Sequence, residues 1–228
     1  MIVRMGLLRK KVGLTPEQFR KHWRGTHGPI AARLPGLRRY HQNPVVDSAQ
    51  RGIDYRRGSL VIDGFSQLWF DDLESMHRSL QSDAVAPLAA DEANLIEDIR
   101  IVVCEPNVVI PTATDRPLIK RMTTLKRRPD VTPEKFRHEW FDVHSFLVKR
   151  LPQVKGYTQN FVIERALQRG RPATYEELPV DGIVELWFED VSSLQAAFAS
   201  DAGRTLMTHA TEFIDEITTF LVEPVEVL

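Results

Sequence analysis

The stretch from Thr15 to Asn43, TPEQFRKHWRGTHGPIAARLPGLRRYHQN, returns 117 positions later as TPEKFRHEWFDVHSFLVKRLPQVKGYTQN, from Thr132 to Asn160. Of these 29 positions 13 are identical, among them Phe19, Trp23, His27, Tyr40, Gln42 and Asn43 with their partners Phe136, Trp140, His144, Tyr157, Gln159 and Asn160. After a shift of one residue the match resumes. Asp63-Gly64 falls on Asp181-Gly182, Leu68-Trp69-Phe70 on Leu186-Trp187-Phe188, Ser82-Asp83-Ala84 on Ser200-Asp201-Ala202, and Glu105-Pro106 on Glu223-Pro224. One ancestral unit is therefore written twice along the whole chain. The pattern lapses between Pro106 and Pro117, which places the join there and divides the chain into repeats 1–112 and 113–228.

Within the quoted stretch, Thr15 reads as a helix N-cap with Pro16 at the first helical position and Gln18 able to complete a capping box. The second copy keeps Thr132-Pro133 but has Lys135 where the box needs Gln or Glu. Phe19, Trp23 and Ile30, like Phe136, Trp140, Val143 and Leu147, recur at helical spacing. Strands are expected before this helix (Ile2 to Lys10, Leu118 to Lys126), through Tyr40 and Tyr157, and after each Asp-Gly. A second helical region follows, breaking at Ser82-Asp83 and Ser200-Asp201, and Ile99–Val103 and Ile217–Val222 close each unit. That order, β-α-β-β-α-β, is the ferredoxin-like arrangement of an antiparallel sheet with helices on one face.

The third strand says what the other face does. In Ile183-Val184-Glu185-Leu186-Trp187-Phe188, alternation sets Val184, Leu186 and Phe188 against Ile183, Glu185 and Trp187, and both sets are largely apolar. The face without helices must also be covered, and the sheet of the other copy is the natural cover. The expected class is α+β: two βαββαβ repeats packed sheet to sheet as an intrachain pseudo-dimeric α+β barrel.

Bulk properties suit such a protein and exclude others. The 228 residues are 43% hydrophobic and 27% charged, with a formal net charge of −1. No electrostatic footprint for nucleic acid is present. No apolar run is long enough to span a membrane, and no signal-peptide core opens the chain. Cys104 is the single cysteine, so no intrachain disulfide forms, and a cytoplasmic location is expected. Association of two duplicated chains into a homodimer is compatible with these data.

The string Phe19-x3-Trp23-x3-His27-Gly28-Pro29, with Leu34-Pro35-Gly36-Leu37, Tyr40-x-Gln42-Asn43 and Asp181-Gly182-x2-Glu185-Leu186-Trp187-Phe188, resembles the EthD family. The resemblance covers nearly all of both halves and implies the dimeric α+β barrel. The family takes its name from a gene cluster that degrades ethyl tert-butyl ether. Similar proteins include a methylmuconolactone isomerase, fungal polyketide-tailoring enzymes and, in the wider superfamily, cofactor-free monooxygenases. Gln67 replaces the family-like Glu in the first copy, and Ser145-Phe146 replaces Gly-Pro in the second.

His27 and His144 are the first catalytic candidates. Each stands four residues after a core Trp, where it can move a proton to or from an enolisable carbon or a hydroxyl; the alternative is a hydrogen-bonded core histidine. For His27, the surrounding Gly25-x2-Gly28-Pro29 predicts a helix that kinks or restarts. Glu185, between Ile183 and Trp187 on the barrel-facing side, is the second: desolvation would raise its pKa and suit it to partner a histidine. Its alternative role is a salt bridge at a barrel mouth, with Arg121 as the natural cation. Gln67 in the other copy can only orient or bind. Tyr40, Tyr157, Gln67, Trp69 and Trp187 are expected to bind substrate or wall its pocket, whereas Asn43 and Asn160 read more naturally as turn caps. Spacing supports no metal site, since His22 and His27, or His138 and His144, do not share a helix face. The expected activity is that of a cofactor-free enzyme acting on a small hydrophobic oxygenated compound, such as a lactone, polyketide or aromatic. The reaction would be proton transfer (isomerase, cyclase or dehydratase) or cofactor-independent oxygenation by an oxidoreductase. A non-catalytic protein that binds such a ligand, and a barrel filled by its own side chains, stand as the alternatives. The long connections, with Arg51-Gly52 and Arg169-Gly170 in matching places, are candidates for lids.

Overall fold

A computed structural model describes residues 1–112 and 116–228, with the backbone alone at residue 169. The first repeat runs β1 (Ile2–Lys10), α1 (Pro16–His22), a π-helical turn (Trp23–His27), α2 (Gly28–Ala31), β2 (Arg39–Asp47), β3 (Gly64–Phe70), α3 (Leu73–Leu80), α4 (Val85–Leu95) and β4 (Ile96–Ile110). The second runs β5 (Ile119–Arg127), α5 (Pro133–His138), a π turn (Glu139–His144), α6 (Ser145–Val148), β6 (Gly156–Ala166), β7 (Gly182–Phe188), α7 (Val191–Ala199), α8 (Asp201–Ala210), β8 (Ile214–Val222) and a short β9 (Val225–Glu226). No helix among the described residues is long and apolar enough to cross a membrane.

Each repeat forms an antiparallel sheet, β2-β3-β1-β4 and β6-β7-β5-β8. The sheets do more than face one another: β4 pairs with β6 and β2 with β8, so β1 to β8 close into one ring with no free edge. Closure satisfies the backbone groups that an open sheet would expose. The two seams are equivalent. Beyond Cys104, β4 leaves β1 and runs on beside β6, Asn107 opposite Gln159; in the other seam β9 does the same beside β2, Val225 opposite Gln42. The first unit therefore does not close at Val103. β4 continues through Pro106, where β6 is its one remaining neighbour and a missing N–H costs no ladder bond. The division between 112 and 113 falls beside residues 113–115, outside the described residues.

Several sequence signals have visible causes. Thr15 Oγ1 accepts from the Gln18 amide at 3.2 Å while Gln18 Oε1 accepts from the Thr15 amide at 2.8 Å; Thr132 caps with one bond alone. The Asp-Gly pair opening the third strand does two jobs. Asp63 and Asp181 accept the amides of Lys10 and Arg127 at 2.9 and 2.8 Å, and a Cβ on Gly64 or Gly182 would run into the indole of Trp23 or Trp140. Ser200 caps α8 as expected, accepting from the Gly203 amide at 3.1 Å. Ser82 does not cap α4: Pro87 must sit in a first turn, and the helix begins at Val85, with Ala84 in the cap position.

Two cores result. Outside the barrel, the helices of each repeat cover their own sheet, with Trp23, Phe19 and Leu8 on one side and Trp140, Phe136 and Leu186 on the other. Inside, Val3, Met5, Phe65, Ile183 and Phe220 fill the lumen, and Ile62, Leu178 and Val180 from the two long connections join them.

Candidate functional site

Alternation along β2, β3, β6 and β7 sends the candidate residues to two separate places. His27, His144, Tyr40 and Tyr157 lie under the helices; Gln67, Glu185 and Trp69 lie in the barrel with Asn43 and Asn160. The expectation that Glu185 would partner a histidine is not met, because the sheet stands between them.

The lumen holds a closed polar knot. Lys120, 1% exposed, is 2.5 Å from Glu185 Oε2 and donates to Asn43 Oδ1 and Gln67 Oε1 at 3.0 and 2.9 Å. Glu185 Oε1 accepts from Gln67 Nε2 and Asn160 Nδ2, both at 2.9 Å. Burial alone would raise the Glu185 carboxyl, but the Lys120 charge and these bonds outweigh it and hold the pKa below the ordinary value. The expected rise is thus reversed, and the cation is Lys120 rather than Arg121. Asn43 and Asn160 cap no turn; each anchors the neighbouring position 67 or 185. Trp69 packs into the lumen under Arg39, whose guanidinium lies 4.0 Å from the ring centroid, and Trp187 is half-buried beneath Lys120. With every ammonium proton and both carboxylate oxygens engaged, the knot leaves no group free for chemistry.

On the outer face, one motif recurs in both repeats. Tyr40 Oη accepts from Trp23 Nε1 (3.2 Å) and Gln42 Nε2 (3.1 Å), and Tyr157 Oη from Trp140 Nε1 (3.2 Å) and Gln159 Nε2 (2.9 Å). The same Gln nitrogens donate to the Trp23 and Trp140 carbonyls at 2.8 and 2.6 Å. Trp23 is the first residue of its π turn and Trp140 the second of its own, and the turns end on His27 and His144. The second repeat has the same turn without Gly-Pro, so the Trp–Gln contact, common to both copies, accounts for it better than glycine or proline. A π turn inserted in a helix re-aims the side chain at its end.

The two histidines then meet different partners. His27 Nδ1 lies 2.9 Å from Asp91 Oδ2, and Asp91 Oδ1 is 2.8 Å from His22 Nε2. His144 Nδ1 lies 3.1 Å from His209 Nδ1, and His209 Nε2 is 3.3 Å from Glu139. A carboxylate only accepts, so the neutral chain runs His144 Nδ1–H to His209 Nδ1 and His209 Nε2–H to Glu139, leaving His144 Nε2 as the open acceptor. Burial, then the neighbouring His209, lowers the His144 pKa to about 3, so its imidazole is neutral at ordinary pH.

A cavity lies beside His144, between α8 and the sheet. Its polar wall is His144, Tyr157, Arg121 and Thr123, and its apolar wall includes Val184, Leu206 and Ile217. The space open to a water-sized sphere is about 40 Å³. Ile53, from the connection between β2 and β3 of the first repeat, closes it. That connection is tied across the second repeat by Tyr55 Oη to the Ile214 carbonyl and Gln50 Nε2 to the Ile217 carbonyl, both at 2.8 Å.

Sequence reasoning named Arg121 only as a partner for Glu185 and passed over Thr123, His209, Glu139 and Asp91. The signal lay in the repeat alignment, where a charged residue in one copy faces a different type in the other: Asp91 with His209, Glu92 with Ala210, His22 with Glu139.

A duplicated ferredoxin-like chain closed into one α+β barrel, with a π-turn histidine under the helices of each half, defines the class of protein. The EthD domain matches residues 11–99 and 128–217, and the chain belongs to the EthD family with that domain present twice. None of the curated proteins compared matches the chain in sequence. Among solved structures, an anthrone oxidase-like protein is similar over 99% of this chain and 93% of its own, with a TM-score of 0.66 and 11% identity. A candidate monooxygenase from Lactobacillus acidophilus NCFM aligns over 100% and 94%, with a TM-score of 0.57 and 10% identity. A dye-decolorizing peroxidase from Bacteroides thetaiotaomicron aligns over 97% and 92%, with a TM-score of 0.55 and 7% identity. At these identities the likeness is one of fold.

Proposed function

We propose that this protein is a cofactor-free enzyme of the EthD type, acting by proton transfer on a small, largely apolar, oxygenated compound, and that the second repeat holds the working site. The observation that carries the proposal is the cavity whose largely apolar lining includes His144, neutral at ordinary pH, together with Tyr157 and Arg121. His144 Nε2 takes a proton from an enolisable carbon or a phenol, and Tyr157 or Arg121 meets the oxyanion that forms. The low basicity of a buried imidazole is answered by the chain behind it. As Nε2 gains a proton, Nδ1 releases one to His209, which passes its own to Glu139, so the positive charge does not stay on His144. Glu185, Gln67, Trp69 and Trp187 take no part and hold the barrel together.

The test is deuterium exchange at the α-carbon of small lactones and cyclic 1,3-diketones, followed by NMR, in the wild type and in His144→Gln and His27→Gln. Exchange should fall about 10²–10⁴-fold in His144→Gln and persist in His27→Gln. Unchanged exchange in His144→Gln, or loss confined to His27→Gln, would overturn the assignment. A second reading, a binding protein without turnover, is favoured by the low basicity of the buried His144 imidazole. Ligand uptake with no exchange by the wild type would establish it.

A further inference from the structure

We infer that the cavity of the second repeat is built to receive an acid: a hydrophobic ligand whose anionic oxygen, as carboxylate, enolate or phenolate, pairs with Arg121. The inference shares the cavity with the proposed reaction but not its chemistry, and it holds whether or not His144 transfers a proton.

Arg121 is 4% exposed, yet no carboxylate among the described residues pairs with it. Its Nη1 donates to the Arg51 carbonyl at 3.3 Å, its guanidinium lies 4.3 Å from the Phe198 ring centroid, and its Nε has no acceptor. Thr123, two residues along the same strand and on the same face, also lines the cavity, and its hydroxyl has no partner. A guanidinium taken out of water without a counter-charge is destabilising, and an anion between Arg121 and Thr123 would satisfy both.

The first repeat shows the same frame with a carboxylate near the arginine. Arg4 is the equivalent of Arg121: it pairs with Leu68 and Val103 as Arg121 pairs with Leu186 and Leu221. Burial lowers the Arg4 pKa, and the nearby Glu92 carboxylate acts against that fall; for Arg121 burial acts with no such opposition. In the second repeat Ala210 replaces Glu92, and His209 replaces Asp91. Two carboxylates are gone from α8 while the arginine remains, so the charge that an acidic side chain supplies in one copy is left to a ligand in the other. The apolar wall sets the rest of that ligand's chemistry. Because the open space is about 40 Å³, an acid larger than a few atoms has to shift Ile53, which the first repeat's connection contributes to the wall.

The experiment is calorimetric titration of the full chain with hexanoate and benzoate, and with their uncharged amides, for the wild type, Arg121→Gln and Ala210→Glu. Ala210→Glu recreates the first repeat's carboxylate and fills the seat without removing the arginine, so it should keep or raise Tm. The acids should bind at least tenfold more tightly than the amides, and both variants should lose that preference. Amides that bind as well as acids, absence of binding by either acid, or a preference that survives Arg121→Gln or a folded Ala210→Glu would overturn the inference. Acid binding without α-carbon exchange would remove the proposed reaction and leave the acid seat standing.

Discussion

The two repeats place the same three positions side by side and fill them differently. In the first, His22, Asp91 and His27 put an acid between two bases. In the second, Glu139, His209 and His144 put the acid at the outer end, with His209 in the middle and His144 at the cavity. The first arrangement pairs its carboxylate with both imidazoles, and Glu92 stands near the partly buried Arg4. The second pushes its negative charge toward the surface and leaves a neutral histidine and an unpaired arginine against an apolar space. Duplication within one chain allows such a division. One copy can satisfy its buried groups internally and serve the scaffold, while the other leaves them for a ligand.

The comparison can be broken by making the repeats more alike. The largest effect on stability is expected in the lumen, where Lys120 and Glu185 stand opposite Val3 and Gln67 of the first repeat. Lys120→Val strands a buried carboxylate and should cost about 3–5 kcal/mol by denaturant unfolding, whereas Lys120→Val with Glu185→Gln should recover most of it. A double variant no better than the single would show that packing rather than charge dominates there.

A smaller effect concerns acid. The His144 pKa is lowered from 6.5 to about 3 in the folded protein, so the unfolded chain binds the proton first. The stability this group contributes is complete above pH 6.5 and is lost progressively as pH falls toward 3. Between pH 7 and 4.5 the wild type should lose about 2–3 kcal/mol that His144→Phe does not. Equal losses in the two proteins would mean that the imidazole is solvated. The smallest effect is at a helix start. Lys135→Gln completes the capping box that Thr15 and Gln18 already form, and should raise Tm slightly, by about 0.5 kcal/mol of stability.

Much of the fold was legible in advance because its signals are local or repeated. The capping residues, the Asp-Gly strand openings and the two-sided third strand each report a constraint that acts within a few residues. The split of β2 residues, Tyr40 and Gln42 to one face and His41 and Asn43 to the other, follows from pleating alone. The site was half legible. The histidines and tyrosines now proposed for the site stand out in the sequence as candidates, but Glu185 does not join them: alternation places it in the barrel, and its partner there is Lys120, from a strand whose register with β7 no local pattern states. Arg121 is one residue away from Lys120 on the same strand, faces the opposite way and pairs with no carboxylate among the described residues.

The sequence by itself thus determined the duplication, the order of elements, the two apolar faces that demand a barrel, and the pair of histidines after the core tryptophans. These follow from periodicity and identity, which need no knowledge of what lies across the sheet. Only the tertiary structure decided which polar groups are spent on one another and which are left over. Pairing of buried charges depends on strand register, on which helix crosses which strand, and on a connection from one repeat closing over the other, and all of these are distances between residues far apart in the chain.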